Sequence, residues 1–362
     1  MSYIKEIEIK NFRGFKELKI ENFGQINLIL GRNNCGKTTL LEGLFLTIGI
    51  SNPLLLENIN KLRGIGYKSA DDFKFLFHKL RFADIPSFKM KFEDKSERTL
   101  ELHPRYLLDS KTDSLKNNSD SNFLLSNVSM AATLIEGIDL KFGIKEKHSK
   151  LRSFISSFVD SKQGITFNQA KGYQEKLFAV YNSSDNKETN ALPRYSEIIK
   201  RKKETVVLEA IKKFEPKIKA IFALPDGLYF DHEDFEERIP SNLAGDGVRR
   251  FLNIITTVAE RNESIILIDE IENGLHYSAH KLFWKNLLSI CKEMNIQLFI
   301  STHSLETIQH FKETLELDEF TEMREKSKIF SIIHTIKPGI KALNYSYESF
   351  KDAIELNNEI RN

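Results

Sequence analysis

The sequence has only two cysteines, Cys35 and Cys291, which lie far apart in a chain of 362 residues. They form no Cys-x-x-Cys pair and no disulfide framework, so we expect the protein in a reducing cytoplasm. No apolar run of about 18 residues occurs, and we therefore expect no membrane-spanning helix. Residues 1–15 alternate charged and apolar side chains and lack the apolar core of a signal peptide.

The chain also lacks a strong charge of either sign. Lys and Arg number 53, Asp and Glu number 51, and the net charge is +2. This balance does not indicate a nucleic-acid-binding protein, although local basic patches leave DNA binding open. One such patch is the run KRKK at 200–203, for which a solvated helix face is the competing interpretation.

Residues 31–39, GRNNCGKTT, separate the apolar runs INLIL and LLEGLFL. Gly31-x-x-x-x-Gly36-Lys37-Thr38 is the pattern of a phosphate-binding loop between a strand and a helix, rather than of a simple glycine-rich turn. Its backbone N–H groups and the positive end of the helix attract phosphate. We expect Lys37 to neutralise the β- and γ-oxygens and Thr38 to bind Mg²⁺. The candidate nucleotide ligands are Gly31, Asn33, Asn34, Gly36, Lys37, Thr38 and Thr39.

Two further apolar runs end in polar residues, as buried parallel strands do. IILIDE at 265–270 presents Asp269, expected to hold Mg²⁺ through water, and Glu270, expected to act as the base for the attacking water. LFISTHS at 298–304 places His303 where an imidazole can reach a γ-phosphate. The competing interpretations are a strand that simply ends in two acids and a structural histidine.

NLAGDGVRR at 242–250 opens a predicted helix with two glycines. Glycines at a helix start favour an anion, so Gly245, Asp246 and Gly247 are candidate nucleotide ligands. An N-cap turn with Asp246 as the cap is the alternative.

For two smaller features, a purely structural role competes with a chemical one. Cys35 is interpreted as a filler of the phosphate loop, with a thiol that is chemically accessible there. His276 and His280 lie four residues apart on a predicted helix, a spacing that could bind a metal. No third ligand is evident in the sequence, which favours an exposed helix face.

The order of patterns predicts three regions. Residues 1–84 carry the phosphate loop, 85–214 form a β-rich and helical insertion, and 215–362 carry the remaining motifs. Within the insertion, a Ser-, Asn- and Asp-rich stretch predicts a mobile loop. The other predicted features are the loop at 109–129, strands at 133–144, 165–168 and 177–181, helical spacing over 195–214, and a hairpin turning at 225–227.

Together, these motifs resemble the ABC-type ATPase heads of the SMC and RecF group, through IKNFRGF and NLILGRNNCGKTTLLEGL. DEIENGLHYSAH, AGDGVRR and YSYESFKDAIELNNEIR are similar to the OLD-like ATPases of bacterial and phage conflict systems. The resemblance covers roughly 1–50 and 215–355. It implies an α/β fold, a P-loop ABC ATPase head with a mixed central sheet, an antiparallel β lobe and a helical and β insertion.

By this resemblance, two subunits sandwich ATP and Mg²⁺ between the phosphate loop of one and the signature loop of the other. Residues 243–247, Leu-Ala-Gly-Asp-Gly, stand where the family has Leu-Ser-Gly-Gly-Gln, and only the first and third residues match. Arg249 or Arg250 is the candidate for a positive charge supplied in trans. The segment ENGLH at 272–276 is expected to touch the partner subunit.

The resemblance implies an ATP-hydrolysing switch of a bacterial or phage defence system, a homodimer or larger oligomer that controls a separately encoded effector. The family pattern suggests a TOPRIM-type nuclease, and because the sequence has no Asp-x-Asp pair, that nuclease would be a separate chain. The sequence shows no clear glutamine-bearing loop between residues 50 and 100, and this absence argues against a transporter. The alternatives are a RecF- or SMC-like DNA repair ATPase that clamps DNA and a weakly hydrolysing ATP-bound scaffold.

Overall fold

The computed structural model describes residues 2–106, 135–161, 163–183, 191–274, 280–335, 339–356 and 360. Contacts between residues divide the chain into two compact units. The first unit comprises Met1–Lys5, Ile20–Leu41 and Leu177–Asn362, and the second comprises Glu6–Lys19 and Glu42–Lys176. The predicted mobile loop at 109–129 lies outside the described residues.

The strands of the described chain are β1 (Ile4–Phe12), β2 (Phe15–Glu21), β3 (Ile26–Leu30), β4 (Ser87–Phe92), β5 (Glu97–Tyr106), β6 (Ile135–Lys145), β7 (Arg152–Ser161), β8 (Gly164–Asn168), β9 (Ala179–Asn182), β10 (Ile218–Leu224), β11 (Gly227–His232), β12 (Ile239–Pro240), β13 (Ile265–Ile268), β14 (Gln297–Thr302), β15 (Ser327–His334) and β16 (Ile340–Tyr345). The helices are α1 (Lys37–Ile48), α2 (Leu54–Lys61), α3 (Ala191–Lys200), α4 (Glu204–Phe214), α5 (Asp246–Ala259), α6 (His280–Met294), α7 (Leu305–Leu315), α8 (Thr321–Glu325) and α9 (Tyr347–Glu355). Short 3₁₀ turns lie at Ala70–Leu76, His78–Leu80, Ser241–Leu243 and Asp318–Phe320.

A six-stranded sheet in the order β16-β15-β3-β14-β13-β9 forms the centre of the first unit. From β15 to β9 neighbouring strands are parallel, and β16 is antiparallel to β15. All residues of β3, β13 and β14 are buried, because helices cover both faces of such a sheet. The apolar runs around the phosphate loop and the acidic pair are therefore central strands, as predicted.

Amphipathic helices bury their apolar faces in one core with this sheet. Phe251 of α5, Trp284 of α6 and Phe311 of α7 belong to that core and are fully buried. The indole N–H of Trp284 donates to the carbonyl of Thr307 at 3.1 Å, which satisfies its only polar group in the apolar surroundings. Within the described residues, no helix is both long and apolar enough to span a membrane.

A small antiparallel sheet, β10-β11-β12, precedes α5 in the first unit. Leu224 pairs with Gly227, so the turn between β10 and β11 consists of Pro225 and Asp226. The predicted hairpin is thus present where its proline and glycine place it.

A seven-stranded sheet in the order β2-β1-β4-β5-β6-β7-β8 forms the second unit, with antiparallel pairing from β4 to β8. An ion-pair triad around a buried carboxylate lies in the same unit. The carboxylate of Glu42 in α1 is 2.8 Å from Nε of Arg13 and 2.7 Å from Nε of Arg63. Because both oxygens are paired, the buried charge is compensated.

Residues 177–214, which the predicted boundaries assign to the insertion, lie in the first unit. β9 pairs with β13 in the parallel sheet, and α3 and α4 contribute Tyr195, Ile198, Val207 and Ile211 to its core. The interpretation of residues 177–181 as part of a β insertion is therefore wrong. The partner strand of β9 lies more than 80 residues later in the chain, and local periodicity does not report such a pairing.

The helical spacing over 195–214 belongs to two helices rather than one. α3 ends at Lys200 and α4 begins at Glu204, and Lys202 between them has φ +56°. The N–H of Lys203 bonds back to the carbonyl of Ile198 at 3.1 Å, a left-handed helix termination that periodicity does not reveal.

We expect Phe311→Ala to lower the free energy of unfolding of the first unit by about 3–5 kcal/mol, the usual cost of removing a buried phenylalanine. Phe311 is fully buried, 4.6 Å from the ring of Trp284. Urea unfolding followed by the fluorescence of Trp284, the single tryptophan of the chain, measures the change. Leu356→Ala is the control, because Leu356 is 71% exposed; equal losses in both variants would contradict the assigned core.

Candidate functional site

The loop at residues 31–36 joins the carboxyl end of β3 to the amino end of α1. Its backbone has φ +152° at Gly31, +64° at Asn34 and +103° at Gly36, conformations that favour glycine or asparagine. Nζ of Lys37 donates to the carbonyl oxygens of the first two loop residues at 2.8 and 2.9 Å. The loop therefore curves around the ammonium group of Lys37, the first residue of α1.

Cys35 fills the inside of this loop. A Cβ atom on Gly31 would lie 2.8 Å from the carbonyl oxygen of Ile332 and closer still to Sγ of Cys35. The Cys35 side chain is buried, and this burial raises the pKa of its thiol. Its role as a filler agrees with the packing, whereas the predicted accessibility of the thiol is wrong.

Asp269, directly after β13, accepts hydrogen bonds from hydroxyl groups of three different elements. Oγ1 of Thr38 donates to its Oδ2 at 2.8 Å, Oγ of Ser301 donates to its Oδ1, and the hydroxyl of Tyr181 is 3.4 Å from Oδ2. Asp269 is buried, so these bonds replace the water that a carboxylate requires. The structure thus brings the predicted pair Thr38 and Asp269 into direct contact.

Glu270 follows in a strained backbone conformation with φ +45°. Its N–H donates to Oγ of Ser301 at 2.9 Å, and Nδ2 of Asn273 donates to its Oε2 at 2.8 Å. Non-glycine residues keep a positive φ only where neighbouring groups hold them there. Both the main chain and the carboxylate of Glu270 are held in this way.

His303 lies just past β14 and is fixed by Glu272, the first residue of the segment ENGLH, for which the sequence predicted a partner contact and not this role. Oε1 of Glu272 accepts the backbone N–H groups of His303 and Ser304 at 2.8 and 3.2 Å. The same oxygen is 2.9 Å from Nδ1 of His303. Glu272 therefore joins the turn after the acidic pair to the histidine, while 37% of the His303 side chain stays exposed.

The loop at 243–247 presents its polar groups to solvent. Leu243 is 72% exposed, the side chain of Asp246 is 78% exposed, and the Asp246 carboxylate pairs with Arg249. Gly245, rather than Asp246, occupies the N-cap position of α5, so the alternative that Asp246 caps this helix is wrong. Unlike Thr38, Asp269 and His303, this loop is turned outward.

The surroundings of Arg250 contradict the prediction that this residue supplies a positive charge to a partner subunit. Its NH1 donates to Oδ1 of Asn182 at 2.7 Å and to the carbonyl of Ser183 at 3.0 Å, and its NH2 donates to the carbonyl of Asp269 at 3.1 Å. Burial lowers the pKa of Arg250, and the nearby acids Asp269, Glu272 and Glu270 oppose that shift. The guanidinium is used within its own chain, which leaves Arg249 as the candidate for a contact with a partner.

One member of the histidine pair, His280, lies in the described part of the chain, and its burial contradicts the interpretation of an exposed helix face. His276 lies outside the described residues, with most of the segment that follows it. His280 is buried, and its Nδ1 is 3.2 Å from Oγ1 of Thr307. Among the described residues, no group of three or more His, Cys, Asp or Glu side chains is placed to hold a metal ion.

The basic run 200–203 occupies the end of α3 and the turn before α4. Lys200 bonds to Glu197 at 2.6 Å, Arg201 to the carbonyl of Glu260 at 2.6 Å, and Lys203 to Asn262 at 3.3 Å. These partners belong to the same unit; Glu197 compensates the charge of Lys200, whereas Arg201 and Lys203 bond to neutral oxygens.

The donors around Asp269 fit Mg²⁺. Hydroxyl and carboxylate oxygens are the ligands that this ion takes, and it usually binds one or two protein oxygens together with phosphate oxygens and water. Thr38 and Asp269 supply one oxygen of each kind at 2.8 Å from each other. Lys37 would contact the phosphate oxygens that complete such a site.

Several contacts of the site were invisible to sequence patterns. Sequence patterns gave no site role to Tyr181, Asn182, Glu272, Asn273 and Ser301, although Glu272 and Asn273 lie in the segment expected to touch a partner. Ser301 carried a weak signal, as a polar residue at the end of an apolar strand. Asn273 contacts Glu270 within the same turn, whereas the pairing of β9, β13 and β14 brings the neighbours of Tyr181, Asn182 and Glu272 close.

A family model described as an AAA ATPase domain matches residues 2–308. The chain belongs to this family. An ATP/GTP phosphatase of Helicobacter pylori is 25% identical over 358 residues, which cover 91% of this chain and 92% of that protein. The DNA double-strand break repair Rad50 ATPase of Archaeoglobus fulgidus is 40% identical over 63 residues, 17% of this chain and 7% of that protein.

Among solved structures, an Smc head bound to the C-winged helix domain of ScpA aligns with a TM-score of 0.50 and 12% identity. The alignment covers 96% of this chain and 99% of the Smc head. This likeness shows the fold, and it confirms the predicted α/β class of a P-loop ABC ATPase head. The chain is therefore a member of the AAA ATPase domain family with the fold of an Smc head.

We expect Gly31→Ala to weaken ATP binding by about tenfold or more. The new Cβ would overlap Cys35 and the carbonyl of Ile332 at a φ of +152°, and strain of this kind costs about 1–3 kcal/mol. Titration with a fluorescent ATP analogue measures the affinity. Gly66→Ala is the control, because a Cβ there meets nothing within 4 Å; unchanged affinity in Gly31→Ala would contradict the loop assignment.

Proposed function

We propose that the chain binds ATP with Mg²⁺ and hydrolyses it at the site formed by residues 31–39, Asp269, Glu270 and His303. The contact of 2.8 Å between Oγ1 of Thr38 and Oδ2 of Asp269 carries this proposal. It joins the start of α1, where phosphate binds, to the end of β13, where the acids lie. Bound Mg²⁺ would neutralise charge on the phosphate oxygens next to this pair.

In this proposal Glu270 is the base. Asn273 holds Oε2 of Glu270 at 2.8 Å, and Oε1 takes a proton from the attacking water. The oxygen of that water bonds to the γ-phosphorus while the bond to the bridging oxygen breaks, which releases ADP and phosphate. Lys37 stabilises the phosphate oxygens, and His303, oriented by Glu272, donates to the γ-phosphate.

A second copy of the chain completes the site. A Cβ atom on Gly245 would meet nothing within 4 Å, so no described neighbour requires glycine there. Together with the exposure of Leu243 and Asp246, this favours an outward role for Gly245 and Asp246 at the nucleotide of a partner, whereas Gly247 faces the turn at Gly274. We therefore propose a homodimer or larger oligomer with composite ATP sites.

The biological role that we propose is a switch in a bacterial or phage defence system. Its support is the similarity of DEIENGLHYSAH and AGDGVRR to the OLD-like ATPases. ATP binding would close the dimer, hydrolysis would reset it, and a separately encoded effector, a nuclease of the TOPRIM type, would be held or released. Both cysteines are free and buried, which is compatible with the cytoplasmic location that we propose.

We expect Glu270→Gln to bind ATP as tightly as the wild type and to lose about 10²- to 10⁴-fold in turnover, the usual contribution of a general base. Phosphate release in the presence and absence of Mg²⁺ measures the rate, and equilibrium titration measures the affinity. Glu293→Gln, a change in an exposed glutamate of α6, is the control.

Equal turnover in Glu270→Gln and the wild type would contradict the role of Glu270. If both bind ATP and neither hydrolyses it, the chain is the ATP-bound scaffold that the altered signature loop favours. Absence of ATP binding in both would refute the nucleotide site itself.

A DNA-clamping repair ATPase is the second candidate. The local match to a DNA double-strand break repair ATPase favours it. Its requirement is affinity for duplex DNA without any partner, and the run 200–203, in which Lys200 pairs with Glu197 while Arg201 and Lys203 bond to neutral oxygens, is the patch to test.

Binding of a DNA duplex at several salt concentrations separates the two candidates. If the run 200–203 contacts DNA, changing its four basic residues to glutamine should flatten the slope of log K against log salt by roughly 3.6. We expect instead no salt-sensitive duplex affinity for the chain alone and a stable complex with the product of a neighbouring gene. A steep slope that the quadruple variant abolishes would favour the repair role.

A further inference from the structure

The peptide group between Asp269 and Glu270 is held from both sides. Its carbonyl oxygen accepts a hydrogen bond from Arg250 at 3.1 Å, and its N–H donates to Ser301 at 2.9 Å. Glu270 keeps a φ of +45° at this point. A peptide group held at its oxygen and at its nitrogen cannot rotate without breaking a bond, so Arg250 contributes to the direction in which the Glu270 carboxylate points.

Arg250 also fixes the neighbouring strand end. Its NH1 binds Oδ1 of Asn182 and the carbonyl of Ser183, both at the carboxyl end of β9. The guanidinium therefore joins the ends of β9 and β13, which carry Tyr181 and Asp269. Its planar, multi-donor geometry allows one side chain to hold three acceptors at once.

Arg250 lies on the same helix as the exposed loop at 243–247. Gly245 is the N-cap of α5, and Arg250 follows five residues later, about 7.5 Å along a rigid helix. A movement of the helix start must therefore move the guanidinium.

The first turn of α5 also packs closely on the turn after the acidic pair. Gly274, with φ +77°, would place a Cβ atom 3.7 Å from Cβ of Arg250 and 3.8 Å from the carbonyl oxygen of Asp246. A Cβ on Gly247 would lie 3.2 Å from the carbonyl oxygen of Gly274. The helix start and the acidic turn are thus in contact twice, through Arg250 and through these glycines.

We propose that Arg250 is a positioning residue that couples the outward loop 243–247 to the Glu270 peptide of the same chain. When this loop docks on the nucleotide of a second copy, α5 carries Arg250 with it, and the Asp269–Glu270 peptide is set for hydrolysis. This coupling rests on the proposed function, and it regulates the same site. It explains how a chain bound to ATP stays slow until its partner arrives.

We test this with Arg250→Met and Arg250→Lys, measuring the dissociation constant of an ATP analogue, ATP-dependent dimer formation and turnover as a function of protein concentration. We expect Arg250→Met to bind nucleotide and dimerise like the wild type. Its turnover should fall by about 100-fold, since small misplacements of a catalytic group cost that much. The rate should no longer rise with protein concentration. Arg250→Lys should recover part of the rate, because one of the donors remains.

Arg194→Met is the matched control. Arg194 is a part-buried arginine of α3 that donates to Asn253 of the same helix α5 at 2.8 Å and lies 3.6 Å from Glu260. Its removal loosens α5 without touching the acidic turn, so turnover should stay at the wild-type level and the melting temperature should fall as in Arg250→Met.

Equal losses of turnover in Arg250→Met and Arg194→Met would overturn the coupling, because loosening of α5 would then explain both. Parallel loss of nucleotide binding in Arg250→Met would overturn it as well. The wild-type dependence of turnover on protein concentration tests the proposed function, and the difference between the two variants tests Arg250. The two failures are therefore distinguishable.

Discussion

The parallel register of β9, β13, β14 and β3 is the constraint on which the site depends. Asn182 lies opposite Ile268, Ile268 lies opposite Ile300, and Thr302 lies opposite Leu30. The residues that follow these positions therefore emerge at one edge of the sheet. A shift of one residue in any of these pairs would turn the buried apolar side chains over and separate the polar ends.

Burial of a carboxylate at this edge of the sheet costs free energy and therefore requires defined hydrogen-bond partners. Asp269 is out of water, and its two oxygens are satisfied by hydroxyl groups of Thr38 and Ser301 from two other elements. A buried carboxylate requires well-placed hydrogen-bond donors, because each oxygen without a hydrogen bond has a large free-energy cost. The same bonds that keep the acid stable therefore fix the distance between the start of α1 and the end of β13. Stability and function depend on the same contacts here.

Neighbouring residues of α5 have different surroundings. Arg249 pairs with the exposed Asp246 at the helix start, whereas Arg250 is turned inward to the ends of β9 and β13. Successive residues on a helix point about 100° apart, so one short sequence contributes to an outer surface and to the acidic turn. Of the two residues that depart from the signature pattern, Asp246 lies on the outer side, whereas Ala244 packs against the core of the first unit.

Local sequence alone determined the phosphate loop, the apolar strands around it, the acidic pair and the hairpin at residues 225–226. Each of these is encoded by contiguous residues, because glycine conformation, strand burial and turn chemistry are properties of short segments. The resemblance of these motifs to ABC-type ATPase heads implied the α/β class. Local sequence predicted a strand at 177–181 but did not reveal which sheet that strand joins, because β9 pairs with a strand more than 80 residues away. Nor did it separate Arg249 from Arg250, or show that Glu272 holds His303, since these facts depend on side-chain direction and on neighbours distant in the chain. Only the tertiary structure decided them, because a hydrogen bond between remote residues leaves no periodic signal in the sequence.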